Sequence, residues 1–107
     1  MAVADVGVGH LVSKESYTDF RIIAEFWVDA EANSGIFIRC SDPAKITATN
    51  CYEVNIFDTR PDPTYRTGAV VNVAKEMTNV DTGNKWNTME ITARGPKMTV
   101  KVNGTLV

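Results

Sequence analysis

Four side chains carry most of the chemistry open to this chain: Glu25, Arg39, Glu53 and Asn55. A carboxylate can accept a proton, a guanidinium can hold a developing oxyanion, and an amide can bond hydroxyls. Arg21, Trp27 and Phe37 stand close by in the chain and add a second cation and two aromatic faces. Rings that stack on sugar C–H faces, beside carboxylates and amides that bond hydroxyls, are what a saccharide site requires. The bland alternative is that Glu and Arg on neighbouring strands form solvated cross-strand pairs, each worth roughly 0.2–1 kcal/mol.

Strands must position these groups. From Phe20 the residues alternate: Phe20, Ile22, Ala24, Phe26 and Val28 fall on one face, with Arg21, Ile23, Glu25 and Trp27 on the other. A period of two predicts a strand with one apolar face and one mixed face. Asn33-Ser34-Gly35 reads as a tight turn, with Gly35 supplying a positive φ, and it feeds Ile36-Phe37-Ile38-Arg39. Parity puts Phe37 and Arg39 together and leaves Ile36 and Ile38 for the core. In the next strand Tyr52, Val54 and Ile56 share one face, with Glu53, Asn55 and Phe57 opposite. If the mixed faces coincide, Glu25, Arg39, Glu53 and Asn55 form one cluster flanked by Trp27 and Phe37. That register is strict, because a one-residue slip would bury Arg39 and expose both isoleucines.

Further strands are expected at His10–Ser13, Gly68–Val73, Trp86–Arg94 and Met98–Val102, with a return strand from Thr105. Asn103-Gly104 is the strongest hairpin signal in the chain. Seven or eight strands and no amphipathic helix make the class all-β, an antiparallel sandwich or barrel. The 107 residues suffice for one domain, read as residues 10–107 after a flexible lead-in of residues 1–9.

Apolar residues make up 44% and charged residues 22%, with a net charge of −2. Without a basic cluster, nucleic acid is not an expected partner. No apolar run reaches the ~20 residues of a membrane helix. The first nine residues lack the basic start of a signal peptide. Cys40 and Cys51 bracket a ten-residue loop; they are either a disulfide at the mouth of a hairpin or two thiols. No zinc spacing is present, His10 is the single histidine and reads as a surface residue, and Trp86 reads as a core or rim anchor. No cofactor is expected. Asp58, Asp62 and Asp81 offer Ca²⁺ the oxygens it takes, but no loop is dense in such ligands.

Four segments in order resemble the 3-keto-disaccharide hydrolase domain family. They are Tyr17-Thr18-Asp19-Phe20 with Glu25-Phe26, Asn33 to Arg39, Tyr52-Glu53-Val54-Asn55-Ile56, and Trp86-Asn87-Thr88 running to Val102-Asn103-Gly104; Thr67-Gly68-Ala69 also fits. The resemblance implies a concanavalin-like jelly roll with sugar on its concave sheet, and it favours a secreted or periplasmic protein. It also implies cleavage of 3-keto-glycosides, with Glu53 as base, Arg39 as enolate stabiliser and Glu25 as acid to the leaving oxygen. Asn55, Trp27, Phe37 and Arg21 would bind the sugar. Two-carboxylate hydrolysis by Glu25 and Glu53 can also be written. Asn55 stands where the family has glutamine, and the jelly roll is shortened at both ends. Open strand edges invite pairing, so a homodimer is expected. The other readings are a non-catalytic carbohydrate-binding module and a small dimeric protein of this fold without a sugar site.

Overall fold

The computed structural model describes residues 9–47 and 49–107. Apart from Gly9, the expected lead-in lies outside the described residues. Six strands follow in order: β1 (Phe20–Val28), β2 (Ser34–Ile38), β3 (Tyr52–Ile56), β4 (Lys85–Arg94), β5 (Lys97–Val102) and β6 (Thr105–Leu106). One sheet has the order β1-β4-β5-β6, the other pairs β2 with β3, and every ladder between strands is antiparallel. This is an all-β sandwich.

The period-two pattern of β1 becomes strict alternation, with Arg21, Ile23, Glu25 and Trp27 exposed and their neighbours half-buried. β4 does the same, turning Asn87, Met89, Ile91 and Ala93 inward. Met89 and Ile91, with Val100 and Val102 of β5, meet Ile38, Val54 and Ile56 of the other sheet in one apolar cluster. Met89, Ile91, Val54 and Val102 are fully buried, and each such side chain contributes about 1.5–3 kcal/mol. Asn103 and Gly104, at φ 52° and 82°, form the predicted two-residue turn between Val102 and Thr105.

Three expectations change. His10–Ser13 is not a strand, and Gly68–Val73 contributes a single bridge, Val70 to Val54, rather than a ladder. A tight turn at residues 71–73 brings Val70 back against Ala74 and breaks that run. Asn33-Ser34-Gly35 is not the turn. The chain reverses earlier, where the Glu31 amide donates to the Asp29 carboxylate at 2.9 Å, and Ser34 and Gly35 already belong to β2.

The loops are tied down by side chains. Asp58 accepts hydrogen bonds from Thr67 Oγ1, from Thr82 Oγ1 at 2.8 Å and from the Thr82 amide at 2.6 Å. Asp62 caps a 3₁₀ turn, Pro63–Tyr65, by accepting from Thr64. Both carboxylates are therefore occupied, and no group of three or more metal-ligating side chains forms among the described residues.

Candidate functional site

β2 and β3 pair so that Phe37 lies opposite Glu53, and Gly35 opposite Asn55. Ile36, Ile38, Val54 and Ile56 face the core, which leaves Phe37 and Glu53 on the outer face. Gly35 has a role the sequence did not disclose. A Cβ there would stand 2.6 Å from Glu53 Oε1 and 3.1 Å from the Val54 carbonyl. Its φ is not positive, so glycine here leaves room for the Glu53 side chain rather than making a turn, and a Cβ would displace that carboxylate from its present position.

The Glu53 carboxylate makes no hydrogen bond to protein among the described residues. Burial raises its pKa, while Arg60 and then His10 pull it partly back. A carboxyl that is desolvated, unbonded and near a cation has the properties of a base. Arg60 is held in place by donating to the Tyr65 carbonyl at 3.2 Å, with its guanidinium 5.5 Å from the Tyr65 ring centroid. Asn55 is buried, and its Nδ2 donates to the same carbonyl at 2.8 Å. Asn55 therefore positions the loop that carries Arg60. His10 lies edge-on to Phe37, ring centroids 5.4 Å apart. A cleft of about 830 Å³ opens on the other side of Phe37, lined by His10, Tyr17, Phe20, Ile36, Phe37 and Arg39 among others; Glu53 and Arg60 do not line it.

Arg39 does not join Glu53. It follows the last residue of β2 with φ 51°, which breaks the parity that placed it beside Phe37. Its guanidinium donates instead to the Thr18 carbonyl at 3.0 Å, to the Gly95 carbonyl, and to Asp19 at 3.2 Å. Asp19 also accepts from the Gly95 amide at 2.9 Å. Arg39 thus staples the end of β2 to the start of β1 and to the β4–β5 hairpin. Glu25, Trp27 and Arg21 are also elsewhere, on the outer face of the four-stranded sheet. There Arg21 pairs with Glu90 at 3.0 Å, and Trp27 meets Trp86 edge-to-face at 5.8 Å. Trp86 is 59% exposed and is not a core anchor. The structure therefore brings together Glu53, Phe37 and, through the Tyr65 carbonyl, Asn55. Sequence reasoning missed Arg60, His10 and Gly35, two of which lie outside any strand where parity applies.

Cys40 and Cys51 form a disulfide that closes the β2–β3 pair at one end.

A model of the 3-keto-alpha-glucoside-1,2-lyase-like domain matches residues 1–107. The chain belongs to that family. Family domains are concanavalin-like, and solved structures agree with the fold. A Parabacteroides distasonis ATCC 8503 protein provisionally assigned as a glycosyl hydrolase superposes with TM-score 0.79 at 26% identity, over 89% of this chain and 52% of its own. A second protein from that organism, with the same provisional assignment, gives TM-score 0.74 at 18% identity over 89% and 51%, a likeness of fold alone. The chain therefore spans about half the length of these relatives. No curated protein sequence matches it.

Proposed function

We propose that the outer face of β2–β3 is a saccharide site and that Glu53 is the base of a 3-keto-glycoside cleavage. The observation that carries this reading is the Glu53 carboxyl itself: its pKa raised by burial, without a hydrogen bond to protein among the described residues, and seated over Gly35. A ketone at C3 acidifies the C2 proton, so a base with a raised pKa suffices to remove it. The electron pair passes into the enolate, whose oxygen Arg60 stabilises in the role expected of Arg39. Collapse of the enolate forms the C1–C2 double bond and breaks the C1–O bond. The departing oxygen takes a proton from solvent water at this exposed face. Phe37, opposite Glu53 in the ladder, supplies an aromatic wall.

Two-carboxylate hydrolysis suits the geometry less well. Glu25 and Glu53 occupy outer faces of opposite sheets, and packed sheets alone stand about 10 Å apart, whereas such carboxyls work at roughly 5–9.5 Å.

The test is product formation from a 3-keto-disaccharide and from its unoxidised parent. Only the oxidised sugar should be cleaved, and Glu53→Gln should slow the reaction by about 10²–10⁴-fold. Unchanged turnover in that variant would exclude Glu53 as the base. A thermal shift with the ketosugar but no product would instead make the domain a binding module.

A further inference from the structure

β1 ends the four-stranded sheet with a strand of 9 residues, whereas β6 at the other end has 2. Which backbone groups of β1 face outward can be read from β4. The Thr88 amide donates to Asn103 Oδ1 at 2.9 Å, and the Thr88 carbonyl accepts from the Asn103 amide at 2.8 Å, so both point to the β5 side. Backbone direction alternates along a strand. Asn87, Met89 and Ile91 therefore point to β1, and their partners Phe26, Ala24 and Ile22 point back at them. Arg21, Ile23, Glu25 and Trp27 are left presenting amides and carbonyls to the open edge. No backbone group of another element pairs with them among the described residues. Proteins guard such an edge with proline, a bulge or a row of charges. β1 has no proline, its register is unbroken from Phe20 to Val28, and its two charges are of opposite sign. Its inward residues are only half-buried, unlike those of β4.

We propose that this edge pairs with β1 of a second copy, antiparallel about a two-fold axis at Ile23, and joins two four-stranded sheets into one. The placing of the charges selects both the partner and the register. Arg21 and Glu25 stand two residues to either side of Ile23. The same strand running the other way thus sets Arg21 opposite the partner's Glu25, and symmetry makes the pair twice. With the axis at Arg21 or at Glu25, like charges would meet. With the axis at Ala24 or at Ile22, neither residue would find an opposite charge. Arg21 engages Glu90 through Nε at 3.0 Å, and its Nη atoms make no hydrogen bond among the described residues, so a second carboxylate can be taken. On the same face the exposed Ile23 meets its own copy. On the core face Phe20 comes opposite the partner's Phe26, and Ile22 opposite the partner's Ala24. Opposite charges and paired aromatics are favourable cross-strand partners. Phe20 and Ile22 also line the 830 Å³ cleft, so the pairing extends its apolar wall. A ladder between two single strands belongs to the small, reversible class of interface. The inference does not depend on the reading of Glu53, which lies on the other sheet.

Sedimentation velocity from micromolar to millimolar concentration tests the pairing, and a reversible monomer–dimer equilibrium is expected. Glu25→Arg sets arginines against each other in both symmetric pairs and should raise the dissociation constant about tenfold or more. Adding Arg21→Glu to that variant should restore dimerisation. Ile23→Pro removes an amide that faces the open edge, so the monomer should keep its far-UV circular dichroism while the dimer is lost. Ile23→Cys should form an intermolecular disulfide on mild oxidation, because the Cα atoms of a hydrogen-bonded pair stand about 5.5 Å apart. Both native cysteines are already engaged with each other, so no other thiol competes. A chain that stays monomeric at millimolar concentration overturns the proposal. So does a dimer that Glu25→Arg leaves at full strength or that the charge swap fails to restore. Growth past the dimer into longer species overturns it too, since a two-fold pairing closes on itself.

Discussion

β4 is paired to β1 on one side and to β5 on the other, and its inward Met89 and Ile91 are fully buried. β2 and β3 pair along Ser34–Ile38 and Tyr52–Ile56, and beyond them a disulfide and the Arg39 guanidinium take over. The first sheet is held by burial along a ladder. The second is held at its end by a covalent bond and by side chains reaching to other elements. The difference matters because the half-buried Glu53 sits on the second sheet. A half-buried carboxyl kept available for chemistry adds nothing to the packing of its sheet, so stability has to come from elsewhere.

The largest test of this contrast is a cavity on the ladder side. Met89→Ala removes a fully buried side chain from the centre of the core. It should cost about 2–5 kcal/mol in denaturant unfolding, and the loss should appear at every probe, because both sheets share that core. A loss below about 1 kcal/mol, within the range of an ordinary surface substitution, would mean that the ladder side does not carry the fold.

What could be read from the sequence divides along the same line. β1 and β4 were legible because each is long, alternates without interruption, and has a face that burial must select. The residues Arg21, Glu25 and Trp27 were correctly put on one face of β1, yet the sequence could not say that this face points away from Glu53. Parity orders residues within a strand and is silent about which side of a sandwich a sheet occupies. Arg39 shows the second limit. Alternation carried it to the Glu53 face, and one residue with positive φ turned it toward Thr18 and Gly95 instead. Arg60 and His10 reach the site from segments without periodicity, where hydrogen bonds such as Arg60 to the Tyr65 carbonyl decide placement. Gly35 was noticed for the wrong property, since a glycine needed for space and one needed for φ look alike in a sequence.

A smaller effect sharpens the comparison from the other side. The Cys40–Cys51 bond closes a loop of sequence separation 11. Replacing both cysteines by serine should cost roughly 2–3 kcal/mol by loop-closure entropy. The more telling readout is local. Amide exchange at Ile36 and Val54 should accelerate more than exchange at Ile91 and Val100, because the end of β2–β3 frays while the ladder stays closed. Equal acceleration in both sheets would show that they form one cooperative unit, and the proposed division of labour would fail.

The smallest effect concerns Glu53 itself. Burial holds its carboxyl above the ordinary 4.5. Over the range just above 4.5 the native state therefore keeps a proton that the unfolded chain has already released. The native state binds more protons there, so this group's contribution to stability declines as pH rises through the window and levels off above the native pKa. Glu90 and Asp62 are shifted the other way, chiefly by hydrogen bonds from Arg21 and Thr64. Their contribution is present at neutral pH and fades as pH falls through their lowered native pKa values. Both groups remain in Glu53→Gln, so the difference in stability between that variant and the parent cancels them. That difference should be near zero in acid relative to its own baseline and rise in favour of the variant as pH passes upward through the window. Solvent reaches the carboxyl and screens it, so the change should be smaller than either structural substitution. Arg60→Ala should widen it, because the guanidinium offsets part of the cost of the charge. A difference that stays flat with pH would mean that Glu53 is as well solvated as any surface carboxylate. It would then have no advantage as a base over Glu25 on the opposite sheet.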